Sequence, residues 1–316
     1  MAQSNWWMYH GDPAHTGLAT GSRINTGNVH TLTVLQDIET DGPVLSVPAI
    51  VDGFVYVGLA NSHTAEGANG GQFLKINAKT GETAAKFGWS IDPNEGDTHG
   101  FMGMGCTPAI YTDTKQVFFS AFNGKLYCLS SGDLSLQWVT DLRHADPAHN
   151  QPVTNVAPGG PPAAGWSSPV VAPDILNGCV YVGMGEGENS GLFGFVYCLD
   201  MSSGNVIWVY CVCPFVEDVP NQPNVLPPAV VKGTLPSGFS VGPVNPPTRG
   251  CSVWSSIAYD DQLGRIFCTT GNPVPDSALP SKGFSNGILS LDATSGDFRG
   301  FFQAPPRSSY RSTDVD

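Results

Sequence analysis

Val196–Val209 reads VYCLDMSSGNVIWV: an alternating apolar run, a short polar turn and a second alternating run. The turn opens at Asp200, whose side chain can bond its own backbone; Gly204 follows four residues later and Trp208 eight residues later. Such a segment is a β-hairpin, with the glycine supplying the positive φ that the turn needs. The same template recurs as FLKINAKTGETAAKF from Phe73, LYCLSSGDLSLQWV from Leu126 and ILSLDATSGDFRGFF from Ile288. The turn openers are Asn77, Ser130, Asp200 and Asp292, with Gly81, Gly204 and Gly296 each four residues on; in the second copy the glycine comes early, at Gly132. Eight residues after the openers stand Ala85, Trp138, Trp208 and Gly300, so two copies place a large aromatic where it can cover the seam to a neighbouring unit.

Each hairpin is preceded by a second one that begins with a small-residue entry. These are VPAIVDGFVYVG from Val47, TPAIYTDTKQVFFS from Thr107, SPVVAPDILNGCVYVG from Ser168 and SIAYDDQLGRIFCT from Ser256. Every copy therefore offers four short antiparallel strands, which is one propeller blade. A parallel α/β fold needs helices between its strands, and no helical periodicity is visible. An immunoglobulin-like sandwich does not repeat one template four times. The expected fold is an all-β propeller, a single unit over 1–316. It comprises an opening strand over 1–40 and blades over 44–88, 105–141, 165–213 and 251–303. Successive turn openers are 53, 70 and 92 residues apart. The added length lies in loops rich in Gly, Pro and Asn, which on a rigid scaffold form a binding face or remain disordered.

Composition agrees: 38 Gly and 26 Pro against only 13% charged residues suit strands and turns better than surface helices. A net charge of −13 argues against nucleic acid or anionic membrane as the main partner, since either calls for a basic surface. No apolar run reaches the length of a membrane-spanning helix. The N-terminus MAQSNWWMYHGD lacks a basic region followed by an apolar segment, so no signal peptide is expected within it. The eight cysteines form neither a CxxC nor a CxxCH motif, which leaves buried free thiols or disulfides in an oxidising compartment as the two readings.

The opening WWMYHGDPAHTG at Trp6–Gly17 and the hairpin pattern resemble the pyrroloquinoline-quinone (PQQ) propellers with their tryptophan-docking repeat. GCSVWSSIAYDDQLGRIFCTTGNPVP from Gly250 is similar to the stretch of methanol and polyvinyl-alcohol dehydrogenases that carries a cofactor-stacking tryptophan and, 18 residues on, a calcium-binding asparagine. The resemblance implies Trp254 beneath the quinone and Asn272 on Ca²⁺. GMGEGENSGLFG from Gly183 resembles the segment that supplies a calcium-binding glutamate, which implies Glu188, with Glu186 as the alternative. These residue types suit the chemistry: a flat aromatic for a fused quinone, and hard oxygen donors for calcium.

The departures are equally specific. The methanol dehydrogenases carry a catalytic aspartate five residues after a proline, and here Arg311 stands five residues after Pro306. Asp314 or Asp316 then becomes the candidate base. The adjacent cysteine pair of those enzymes is also absent, leaving the lone Cys106. Quinoprotein propellers usually have eight blades closed by their N-terminal strand, so about four blades plus an opening strand make half a ring, either a fragment or a half-propeller completed by a second chain. The resemblance implies a quinoprotein alcohol dehydrogenase-like protein that passes hydride from a small alcohol to PQQ with Ca²⁺ assistance, in the periplasm or outside the cell. A non-catalytic envelope propeller serving as an interaction scaffold is the other function class compatible with the fold.

Overall fold

In the computed structural model the described residues are 5–63, 69–90, 103–142, 165–185, 194–212, 249–271, 273–274 and 286–303. Their core is four separate four-stranded antiparallel sheets. Blade one holds β1 (Ala49–Val51), β2 (Phe54–His63), β3 (Asn69–Asn77) and β4 (Thr83–Ser90). Blade two holds β5 (Ala109–Tyr111), β6 (Gln116–Ser120), β7 (Lys125–Ser130) and β8 (Leu136–Asp141). Blade three holds β9 (Val170–Ala172), β10 (Cys179–Met184), β11 (Phe195–Asp200) and β12 (Val206–Cys211). A short pair, β13 (Arg249–Gly250) with β16 (Pro273–Val274), flanks blade four, which holds β14 (Ala258–Asp260), β15 (Arg265–Thr270), β17 (Gly287–Asp292) and β18 (Phe298–Gln303). Strands lie in chain order within each blade, as hairpin-by-hairpin pairing dictates.

The turns form as their residue types require. Asp200 Oδ1 accepts the N–H of Ser202 (3.0 Å) and of Ser203 (2.8 Å), and Asp292 Oδ1 accepts those of Thr294 (3.0 Å) and Ser295 (2.9 Å). The blade-two turn carries a surprise. The left-handed slot that Gly81, Gly204 and Gly296 fill elsewhere is held by Leu134, with φ of 61°, while Gly132 stands outside it. Leu134 is 1% exposed, so burial of its side chain offsets the strain of that backbone conformation.

Strand pairing aligns one row of residues across every blade. It runs Tyr56–Lys75–Ala85, Phe118–Cys128–Trp138, Tyr181–Cys198–Trp208 and Phe267–Ser290–Gly300. This row makes the seams. Trp138 Nε1 donates to the Met201 carbonyl (3.1 Å) and Trp208 Nε1 to the Ala293 carbonyl (3.3 Å), each the residue just after the next blade's turn opener. Tyr181 OH donates to the same Ala293 carbonyl at 2.8 Å. Blade one has no tryptophan in this row, and Lys75 takes over. Its Nζ donates to the carbonyls of Ser131 (2.8 Å) and Gly132 (2.9 Å), beside the Tyr56 hydroxyl on Ser131 (3.0 Å). The apolar core lies between the blades rather than inside any one sheet: Phe73 of blade one stacks on Phe119 of blade two at 4.8 Å.

The opening segment differs from the strand expected of it. Among the described residues before Ala49 there is one β-bridge, Trp6 with Ile50, and two short 3-10 turns at Tyr9–Gly11 and Val29–Thr31. Left-handed backbone at His10 and His15 and the fixed φ of Pro13 prevent a continuous strand. The segment instead straps the arc together. Trp6 exchanges backbone hydrogen bonds with Ile50 of blade one (2.7 Å), Trp7 O accepts from Ile110 of blade two (2.7 Å), and Pro13 O accepts from Tyr259 of blade four (2.7 Å). Among the described residues Cys106, Cys128, Cys179, Cys198 and Cys268 are buried free thiols, and Cys251 is buried as well.

Candidate cofactor platform at Trp254

Trp254 sits on the entry into blade four, between β13 and β14. The chain reaches it under tight constraint. Cys251 is fully buried with left-handed backbone (φ 57°), and the stretch Cys251–Val253 is pressed against blade three. A Cβ at Gly185 would lie 2.7 Å from Ser252 Cα, so only glycine lets the two backbones approach this closely. Val253 N–H donates to the Met184 carbonyl (3.4 Å), and the Ser252 carbonyl accepts the N–H of Gly271 (2.9 Å). Residues 251–253 are therefore buried and bonded on both sides. The next side chain, Trp254, emerges 42% exposed. A large aromatic so displayed on a fixed backbone offers a flat surface of the kind on which planar ligands stack.

Gly271 borders the platform, since a Cβ there would lie 3.3 Å from Trp254 Nε1. The flanks of two expected ligand positions thus meet the 252–254 stretch: Gly185, three residues before Glu188, at Ser252, and Gly271, next to Asn272, at Trp254. Glu188, Asn272, Asp314 and Asp316 themselves lie outside the described residues, as do Glu186 and Arg311. Among the described residues no group of three or more His, Cys, Asp or Glu side chains is placed to hold a metal. The residues present fit the aromatic part of a quinone site, through the exposed indole and its glycine border.

Two further features belong to the blade entries. Cys106, the lone cysteine where the resembled enzymes have a pair, is fully buried with its Sγ donating to the Ser120 carbonyl at 3.2 Å. Burial pushes its thiol up to about 11, so it is protonated at neutral pH. The second was missed by sequence reasoning. Ser256 Oγ accepts the Ser168 N–H (3.4 Å), and Ser168 Oγ accepts the Thr107 N–H (2.9 Å), a ladder that ties three blade entries to one another. Its signal was the small residue opening each repeat, which marks the blade start but does not announce a bond to the next blade.

The profile of the glucose/ethanol/alcohol dehydrogenase β-propeller domain, designated PQQ, matches residues 6–306. The chain belongs to this family. Among curated relatives, the dehydrogenase subunit of alcohol dehydrogenase (quinone) from Gluconacetobacter polyoxogenes is 25% identical across 98% of the chain, and lupanine 17-hydroxylase [cytochrome c] from a Pseudomonas species is 23% identical across 96%. The chain spans only 39% and 40% of the lengths of those two proteins. The crystal structure of quinohemoprotein alcohol dehydrogenase from Comamonas testosteroni superimposes with a TM-score of 0.66 at 18% identity, covering 96% of this chain and 41% of that one. That likeness establishes the PQQ-type propeller fold, of which this chain forms part.

Proposed function

We propose that this PQQ-family propeller contributes the quinone-stacking wall of a quinoprotein alcohol dehydrogenase, with Trp254 as the stacking residue. The observation that carries the reading is the exposed indole of Trp254 on a backbone locked by Cys251, Ser252 and Val253. Family membership and the quinone-dependent relatives support PQQ as the flat ligand. When bound, the quinone supplies the hydride acceptor for an alcohol, with Ca²⁺ polarising its carbonyl.

In this reading Glu188 and Asn272 provide a carboxylate and an amide oxygen for the ion. Asp314 or Asp316 removes the proton of the alcohol hydroxyl. The buried stretch before Trp254 holds the backbone beneath the ring in place, so that binding spends little backbone entropy. Because the four blades are part of a ring, further blades complete the cavity around the ligand.

The test is reconstitution with PQQ and CaCl₂, followed by dye-coupled oxidation of primary and secondary alcohols. Dye reduction that needs all three components supports the proposal. Asp314→Asn and Asp316→Asn then identify the base, with the residue responsible losing turnover while quinone stays bound. Quinone bound without alcohol-dependent dye reduction would leave a binding module and overturn the catalytic part.

A further inference from the structure

One position recurs at the entry of every blade. The strand pairs Ala49–Tyr56, Ala109–Phe118, Val170–Tyr181 and Ala258–Phe267 hold the same place in the four sheets. Three residues before the first member of each pair stand Ser46, Cys106, Ser167 and Ser255, and two residues after the second stand Gly58, Ser120, Gly183 and Thr269. Alternate residues of an antiparallel strand turn their N–H and C=O to the same edge, so the latter four prolong an edge that the inner strand no longer covers. In three blades the entry side chain covers it instead. Cys106 Sγ accepts the Ser120 N–H (3.3 Å) and donates to the Ser120 carbonyl (3.2 Å). Ser167 Oγ accepts the Gly183 N–H (3.1 Å). Ser255 Oγ accepts the Thr269 N–H and donates to the Thr269 carbonyl, both at 3.2 Å. Ser46 Oγ, by contrast, is buried without a partner among the described residues.

Ser255 differs from its counterparts in the residue before it. That residue is Leu45 in blade one, Gly105 in blade two, Trp166 in blade three and Trp254 in blade four. Trp166 leans on Phe122, two residues beyond Ser120, with 4.5 Å between ring centroids. The matching position of blade three, two residues beyond Gly183, is Gly185, which has no side chain to set against Trp254. Support after the indole comes from its own blade. The Ser252 carbonyl accepts the Gly271 N–H (2.9 Å), and Ser255 holds both backbone groups of Thr269. The chain on either side of Trp254 is thus tied to one short stretch, 269–271, at the end of β15, with the indole Nε1 beside Gly271. Thr269 is exposed, so water can replace the serine at both groups. Losing the hydroxyl therefore releases the backbone behind the indole without a large cost to the fold.

We propose that Ser255 is a positioning residue for Trp254: its grip on Thr269 fixes the backbone from which the indole emerges, and with it the surface offered to a planar ligand. Cysteine can do the same work, since Cys106 makes the same pair of bonds in blade two. The effect on quinone binding rests on the reading of Trp254 as the stacking residue; the effect on the indole itself does not.

Fluorine nuclear magnetic resonance on the full chain labelled with 5-fluorotryptophan tests it. The seven tryptophans give seven resonances, and the one missing from Trp254→Phe belongs to Trp254. Ser255→Ala is expected to shift and broaden that resonance and leave the other six in place. Ser255→Cys restores it, and Cys106→Ala, which removes the same pair of bonds in blade two, does not move it. Titrated with PQQ in the presence of Ca²⁺, Ser255→Ala binds the quinone about fivefold more weakly than the native chain, and Ser255→Cys binds it as tightly. A Trp254 resonance indifferent to Ser255→Ala, moved equally by Cys106→Ala or not restored by Ser255→Cys overturns the inference. So does collapse of all seven resonances in Ser255→Ala, or a native quinone affinity in that variant. The spectra need no quinone, so a native chain that fails to bind PQQ overturns the quinone reading alone and leaves the role of Ser255 to the fluorine signals.

Discussion

Trp138 of blade two lies against Gly204 of blade three so closely that a Cβ on the glycine would come within 2.5 Å of the indole Cε3. Gly204 has φ of 73°, and its carbonyl accepts the Thr140 hydroxyl at 2.6 Å. The glycine therefore serves twice, forming its own hairpin turn and giving the previous blade's tryptophan a floor. Gly204→Ala is expected to lower stability by about 1–3 kcal/mol through left-handed strain and displacement of the indole. Urea unfolding followed by tryptophan fluorescence measures it.

The companion seam carries more buried area. Trp208 is 5% exposed and rests on Gly296, with 2.7 Å between its Cδ2 and a Cβ placed there. Truncation Trp208→Ala is expected to cost about 3–5 kcal/mol, in the range for large buried aromatics. Trp208→Phe keeps much of the packing but leaves the Ala293 carbonyl with one donor fewer, and should cost less. Paired denaturation curves give the ordering.

Lys75 is the unusual seam residue, an 8% exposed ammonium with two carbonyl partners and the Phe54 ring 4.3 Å from its Nζ. Desolvation holds its pKa below the ordinary lysine value, against the pull of Asp133. Lys75→Met keeps the stem and removes both charge-assisted bonds, for an expected loss of about 1–3 kcal/mol. The same substitution at exposed Lys79 should change stability little, which calorimetry on both variants checks.

The opening strap predicts a pH dependence. His15 packs edge-on against Tyr9 at 5.1 Å, and its pKa falls to about 4 through burial, then through the neighbouring His10, with Asp12 pulling the other way. The folded state thus binds this proton less readily than the unfolded chain, whose value is 6.5. Its contribution to stability is present above pH 6.5 and is lost as pH falls toward 4. Thermal melts across that window should steepen for the native chain and flatten for His15→Gln.

How much of this was legible follows from the range over which each residue acts. Asp200, Gly204 and Trp208 were readable because turn chemistry and strand register are local. Lys75 was not. It occupies a docking position with a different residue type, and only the neighbouring blade reveals the role. Leu134 hid in the same way, taking a slot that glycine marks in the other copies. At the candidate site, the motif around Trp254 pointed to an aromatic platform, and the structure added the locked backbone beneath it. The serine ladder and the strap from Trp6 to Pro13 are long-range hydrogen bonds, which no spacing along the chain encodes.

Cofactor retention decides whether Trp254 carries a quinone. The full chain is incubated with PQQ and Ca²⁺, desalted, and scanned for the absorbance of the bound quinone, beside Trp254→Ala and Trp254→Phe. The account predicts retention by the native chain, weaker retention by the phenylalanine variant and none by the alanine variant, with all three equally folded. Quinone lost from the native chain, or held equally well by Trp254→Ala, would contradict it.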